Sequence, residues 1–194
     1  MWWCDASVRW LKNDFTQLFK DIYQGNFSSI NLVDFSGTSI YQVTHPDMYK
    51  YFPVDMKLSK QTLMMGATFM FFLRSPLVKT VLKWWVLCAL EEDCMAPRGS
   101  GLTCNWANRH RDNYANCHRF DQSAINIILA SANNFKTGRY HYPVLFGSIE
   151  REFTEYDAVT KIVITCCFLT AIIIYYAKKQ LIPKSKEFLS VSSK

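Results

Sequence analysis

Gly66-Ala67-Thr68-Phe69-Met70-Phe71-Phe72-Leu73 is followed at once by Arg74-Ser75-Pro76, and this junction decides the class of fold. Phe69 to Leu73 are all large and apolar, which reads as a strand covered on both faces. Ser75 is suited to cap a helix, and Pro76 to fill the first helical position, where no backbone N–H is needed. The helix so opened runs to about Leu90, with Val78, Val81, Leu82, Trp85 and Cys88 on one face and Trp84 beside them. Upstream, Met1 to Cys4 forms a short strand ending in Asp5-Ala6-Ser7. A helix starts near Asn13-Asp14, buries Phe15, Leu18, Phe19 and Ile22, and stops at Gly25. Leu32 to Phe35 is a second strand, closed by the turn residues Ser36 and Gly37, and His45-Pro46 and Phe52-Pro53 punctuate a loop-rich stretch. Downstream, residues 91–118 form a long loop, and Asp121 to Ala130 a helix with Ala124, Ile125, Ile128 and Leu129 facing inward. Strand and helix alternate without an internal repeat, so the expected class is an α/β layered domain.

The chain has 194 residues and a net charge of +6. Residues 178–194 carry five lysines against Glu187 alone and so hold +4 of it, leaving +2 on residues 1–177. A body so near neutrality lacks the basic surface of a nucleic-acid binder, and no nucleic-acid partner is expected. Six Trp, fourteen Phe and ten Tyr argue for a packed body.

Ile162 to Ala177 is an uncharged apolar run that ends on Lys178-Lys179. With residues 158–161 it reaches the ~20 residues a membrane-spanning helix needs, Lys161 snorkelling to the interface. The expected organisation is a body at 1–157, a transmembrane helix at 158–177 in contact with membrane lipid, and a basic tail at 178–194; a buried C-terminal helix is the competing reading. The lysines place the tail in the cytoplasm and the body in the lumen, as in a single-pass protein of the Golgi or endoplasmic reticulum. Met1-Trp2-Trp3-Cys4-Asp5 reads as the middle of a strand and not as a signal peptide, so a luminal body implies a preceding region. A tail-anchored protein with a cytosolic body is the alternative, and it would leave the cysteines reduced.

Seven cysteines are present. Cys94, Cys104 and Cys117 fall in the polar loop, where disulfides would stabilise a segment without a core of its own, though spacing does not choose the pair. Cys4 and Cys88 sit among apolar neighbours and read as buried thiols. Cys166 and Cys167, inside the apolar run, read as small hydrophobes or acylation sites. Asn26-Phe27-Ser28 is a glycosylation sequon.

Candidate chemistry gathers at a few positions. Asp5 closes an apolar strand, where ligands of open α/β sheets collect; it is placed to hold a metal or a hydroxyl, or to cap the turn that follows. Asp121, at a helix start, accepts backbone N–H bonds and can also present an acid to a sugar hydroxyl, with Gln122 offering an amide. His141, between Tyr140 and Tyr142, could ligate a metal held by Asp5 or be a hydrogen-bonded structural residue. No nucleophile elbow, phosphate loop or dinucleotide fingerprint is present.

Trp3-Cys4-Asp5-Ala6-Ser7-Val8-Arg9-Trp10, Gly66-Ala67-Thr68-Phe69-Met70, Trp84-Trp85-Val86-Leu87-Cys88-Ala89-Leu90 and Cys117-His118-Arg119-Phe120-Asp121-Gln122-Ser123-Ala124-Ile125-Asn126 together resemble one nematode-expanded, uncharacterised family that is itself similar to glycosyltransferases of the GT-A fold. The resemblance covers residues 1–142 and implies a partial GT-A-like domain. It further implies a nucleotide-sugar donor, a divalent metal such as Mn²⁺ held by Asp5, and Asp121 and Gln122 as catalytic residues near donor or acceptor. Ser7 stands where the second acid of that family's metal motif would be. Two functions follow as expectations: a membrane-anchored glycosyltransferase-like protein, truncated or divergent, whose full-length form transfers a sugar from a nucleotide-sugar donor, or a non-catalytic membrane-anchored binding protein that keeps the fold.

Overall fold

Phe69–Phe72 forms β6, and its alternating side chains face two separate cores. Met70 and Phe72 enter the larger core, while Phe69 and Phe71 enter a smaller aromatic one. Two-sided burial is why the sequence carries no polar residue here. The computed structural model describes residues 1–107 and 110–149.

Around β6 lie β1 (Trp2–Cys4) and β3 (Ile30–Leu32), giving a sheet of order β1-β6-β3. Both pair with β6 antiparallel, Trp3 and Leu32 opposing Met70 from either side. Beyond β3, a parallel bridge joins Leu32 to His141. Between β3 and β6 the chain makes a small antiparallel sheet from β4 (Phe35–Ser39) and β5 (Leu63–Met65), and β2 (Val8–Trp10) pairs with β7 (Gly147–Ile149). Ser36 and Gly37 lie inside β4, not in the expected turn. Gly37, at φ +79°, sits where the β4–β5 register shifts, so the turn signal marks an irregularity within a strand.

Four helices complete the molecule: α1 (Thr16–Tyr23), α2 (Met56–Gln61), α3 (Pro76–Leu90) and α4 (Phe120–Ala132). α3 follows the expected capping, Ser75 Oγ accepting the Val78 N–H at 3.2 Å. α1 starts where Asp14 Oδ1 accepts the Thr16 N–H at 2.9 Å. Its Leu18 and Ile22 cover the Phe69/Phe71 face, where Trp2 lies 4.8–5.5 Å from the rings of Trp10, Phe15, Phe69, Phe71 and Phe146. α3 and α4 contribute to the other face. α4 is buried at every residue from Ser123 to Ala130. β2, β5, β7 and α2 are short elements that sequence periodicity did not reveal.

The expected fold class needs correction. The class is α/β, but its sheets are small and every strand-to-strand ladder among the described residues is antiparallel, so a GT-A arrangement is not shown. Between β3 and β6 lie β4, two short 3-10 turns, α2 and β5, and β6 returns antiparallel to β3, where a βαβ unit would bring it back parallel. The C-terminal transmembrane helix is likewise unsupported. No helix among the described residues is long and apolar enough to cross a membrane, and residues 158–177 and the 178–194 tail lie outside the described residues.

Between α3 and α4 there is no helix or strand among the described residues, and two disulfides bind the connection. Cys104 pairs with Cys117, closing a loop whose cross-link is worth about 3 kcal/mol in the chain-entropy picture. Cys94 pairs with Cys88. Cys88 is thus buried as expected, but bridged and not a free thiol. Asp93, at φ +63°, turns the chain back so that Cys94 reaches the last turns of α3. Cys4 is a free thiol but exposed, because β1 is an edge strand.

Met70 is wholly buried at the centre of the sheet. Met70→Ala should lower the urea-unfolding free energy by about 3 kcal/mol with little change in the denaturant slope.

Candidate functional site

The sequence-predicted residues lie far apart in the chain, yet the fold brings Asp5 and Gln122 to the segment 65–68 at the start of β6 and His141 to the same end of the sheet, beside β3. Asp5 follows β1 directly. Its N–H donates to the Thr68 carbonyl at 2.9 Å and its own carbonyl accepts from Val8 N at 3.0 Å, so the backbone is fixed while the carboxylate stays exposed.

On the other side of β6, the chain after β3 continues in pairing: Val33 N donates to Phe69 O at 3.1 Å and Gly66 N to Asp34 O at 3.0 Å. Asp34 is half-buried, with Oδ1 accepting the Phe35 N–H at 2.8 Å. A Cβ placed on Gly66 would stand 3.0 Å from Asp34 Oδ2, so only glycine leaves this carboxylate its position. His141 lies next, beside β3. Partial burial lowers its pKa, while the Val33 carbonyl and the Asp34 carboxylate pull the other way.

α4 approaches the same segment through amides. Asn126 is wholly buried and pairs with Met65 as a strand would: Oδ1 accepts the Met65 N–H at 2.8 Å and Nδ2 donates to the Met65 carbonyl at 2.8 Å. Gln122 Nε2 donates to that same carbonyl at 3.1 Å. Asp121 is exposed; its Oδ1 accepts the Gln122 N–H at 2.9 Å, and its carbonyl accepts from Trp85 Nε1 at 3.1 Å. Asp121 and Gln122, expected as catalytic, thus hold the start of α4 together and tie it to β5.

The rim that results carries Asp5, Thr68, Gly66, Asp34 and His141, with the amino end of α4 alongside. Asp34 and Asn126 were missed in the sequence. Asp34 obeys the same rule that singled out Asp5, an acid at the end of an apolar strand, but a strand drawn from Leu32 to Phe35 runs through it and hides it.

The pair Asp5 and His141 does not fit one metal ion. Their strands are separated by β6 and β3, three strand spacings or about 14 Å, which two metal bonds of ~2.1 Å and two short side chains do not bridge. Among the described residues no group of three or more His, Cys, Asp or Glu could hold a metal. No step through Mn²⁺ is therefore drawn from these residues.

One further polar centre fixes the disulfide loop. His118, wholly buried, accepts the His45 N–H on Nδ1 at 3.0 Å, while Nε2 lies 3.1 Å from the Met95 carbonyl. That pair of partners selects the neutral ring with its proton on Nε2. Burial pushes the pKa down to about 4; the bond to Met95 opposes the shift and the nearby His45 adds to it.

No family model, curated protein or solved structure matches the chain.

Two predictions follow from these arrangements. His118 is neutral in the fold and titrates near 6.5 when unfolded, so its contribution is complete above about pH 6.5 and is lost as pH falls toward about 4. Urea unfolding across that window should show a loss on the order of 3 kcal/mol, and His118→Gln should abolish this part of the pH dependence. Asn26 is exposed. When the chain is expressed through the secretory pathway it should carry an endoglycosidase-sensitive glycan that Asn26→Gln removes, read as a gel shift.

Proposed function

We propose that this chain is a sugar-binding protein that works in an oxidising compartment, holding a neutral glycan along the rim at residues 65–68 without turning it over. One observation carries the reading: Asp5, Asp34, His141 and the start of α4 converge from four separate parts of the sequence on one end of the sheet. Carboxylates accept hydrogen bonds from sugar hydroxyls, and the imidazole adds a group that can donate or accept. A diphosphate suits the rim less well, since two carboxylates repel it unless a cation intervenes. The amide of Gln122 is already engaged by Met65, which supports a scaffold role over a catalytic one.

The two disulfides suit a secreted or luminal location, where they form and persist. The exposed Asn26 agrees with that.

A second reading, sugar transfer from a nucleotide-sugar donor, is favoured by one specific feature. Asp34 and His141 lie half-buried at the same strand end, and a carboxylate and an imidazole that share one end of a sheet can together serve a hydroxyl's proton.

One experiment separates the two. Binding of neutral oligosaccharides by the purified protein, measured by calorimetry, should weaken about tenfold in Asp34→Asn, which keeps an acceptor for the Phe35 N–H but loses the charge. Nucleotide-sugar hydrolysis should stay at background with or without Mn²⁺. Metal-dependent hydrolysis that disappears in Asp34→Asn would establish the transfer reading instead, and no saturable binding of any neutral sugar would refute the proposal.

A further inference from the structure

A second depression, distinct from the rim, lies between the irregular strand β4 and the disulfide-closed loop. It is a cavity of about 290 Å³ lined by Gly37, Thr38, Gln42, Trp106 and Arg111. Its walls are held from both sides. Ser39 Oγ donates to the Arg111 carbonyl at 3.1 Å, and the Ala115 N–H donates to the Gln42 carbonyl at 2.8 Å, so the loop is pinned to the segment that follows β4. The Cys104–Cys117 bridge closes the loop just outside Trp106 and Arg111. Gln42 is buried, with Oε1 accepting the Ser39 N–H at 2.9 Å.

Three chemistries meet in this cavity. Trp106 is about one-third exposed (36%) and lines the cavity with an aromatic side chain. Arg111 is exposed, and no carboxylate among the described residues pairs with its guanidinium; Asp112, its neighbour in sequence, lies 3.3 Å from His110 instead. Thr38 adds a hydroxyl beside the bulge. An aromatic face stacks on the C–H face of a pyranose ring, a guanidinium grips a carboxylate or phosphate through two parallel N–H bonds, and a hydroxyl serves the ring's own hydroxyls. The volume suits one small ligand, at the lower end for such sites.

We infer that this cavity is a binding site for an anionic monosaccharide, with the sugar ring against Trp106 and its carboxylate or phosphate on Arg111. The inference stands apart from the rim, because it uses none of the rim residues.

The test titrates the full chain with glucuronic acid, glucose 1-phosphate, glucose and inorganic phosphate, reading tryptophan emission and calorimetric heat. Saturable binding of glucuronic acid or glucose 1-phosphate is expected, with glucose and phosphate each at least about tenfold weaker; the tighter of the two acids identifies the anion. Arg111→Gln should weaken the preferred acid about tenfold and leave glucose unchanged. Because the bond to Ser39 is made by the Arg111 backbone, this variant keeps the loop anchored. Trp106→Phe should remove the emission change while the heat persists. Equal Trp106 emission changes with glucose and the acids, undiminished acid binding in Arg111→Gln, or no saturable binding of either acid would each overturn the assignment.

Discussion

The structure depends on one strand being covered on both sides. β6 has no face left for water, so each side must be roofed by something else, and the two roofs are chemically different. On one side Trp2, Phe15, Phe69, Phe71 and Phe146 make a compact aromatic cluster under α1. On the other, aliphatic residues of α3 and α4 complete a larger core with Met64, Met65 and Met70. Burying a side chain of this size is worth roughly 2 kcal/mol, so a sheet of only three short strands is stable because it is enclosed and not because its ladders are long.

Enclosure has a polar consequence. β5 pairs with β4 along one edge, and where its other edge meets the buried helix α4 Asn126 offers Met65 one acceptor and one donor. Ser123, also wholly buried on α4, donates to the Val43 carbonyl at 3.1 Å for the same reason. His118 treats the disulfide loop similarly, bonding to His45 and Met95 on segments that have no ladder of their own. Asn126, Ser123 and His118 thus each stand in for a stretch of regular secondary structure. That economy fixes the loop carrying Trp106 and Arg111, and the β5–β6 connection beneath the rim, without a large sheet.

How far the sequence revealed the site follows from this. Asp5, His141 and the Asp121-Gln122 pair were legible as polar residues at element ends; the fold sets Asp5 beside Thr68, Gln122 beside Met65 and His141 beside β3. Their roles were not legible. Gln122 and Asp121 serve the backbone, and Asp5 and His141 stand on opposite sides of β6 and β3. Which strand neighbours which is a matter of pairing order, and no local pattern encodes it. Asp34 fits closely against Gly66, over thirty residues later, where any side chain would press on it.

By itself the sequence determined the elements whose burial pattern is strong and local: β1, the buried face of α1, the two-sided strand β6, the capped start and end of α3, the inward face of α4, and the involvement of Cys94, Cys104 and Cys117 in disulfides. Those follow from side-chain periodicity, capping and composition, which act over a few residues. Tertiary structure alone decided the antiparallel sheet order, the bridge from Cys88, the exposure of Cys4, the clamp of Asn126 on Met65 and the placing of His141 beside β3. Each of these depends on a contact between segments distant in sequence, where the free energy of closing the chain and burying both partners is set by the whole fold.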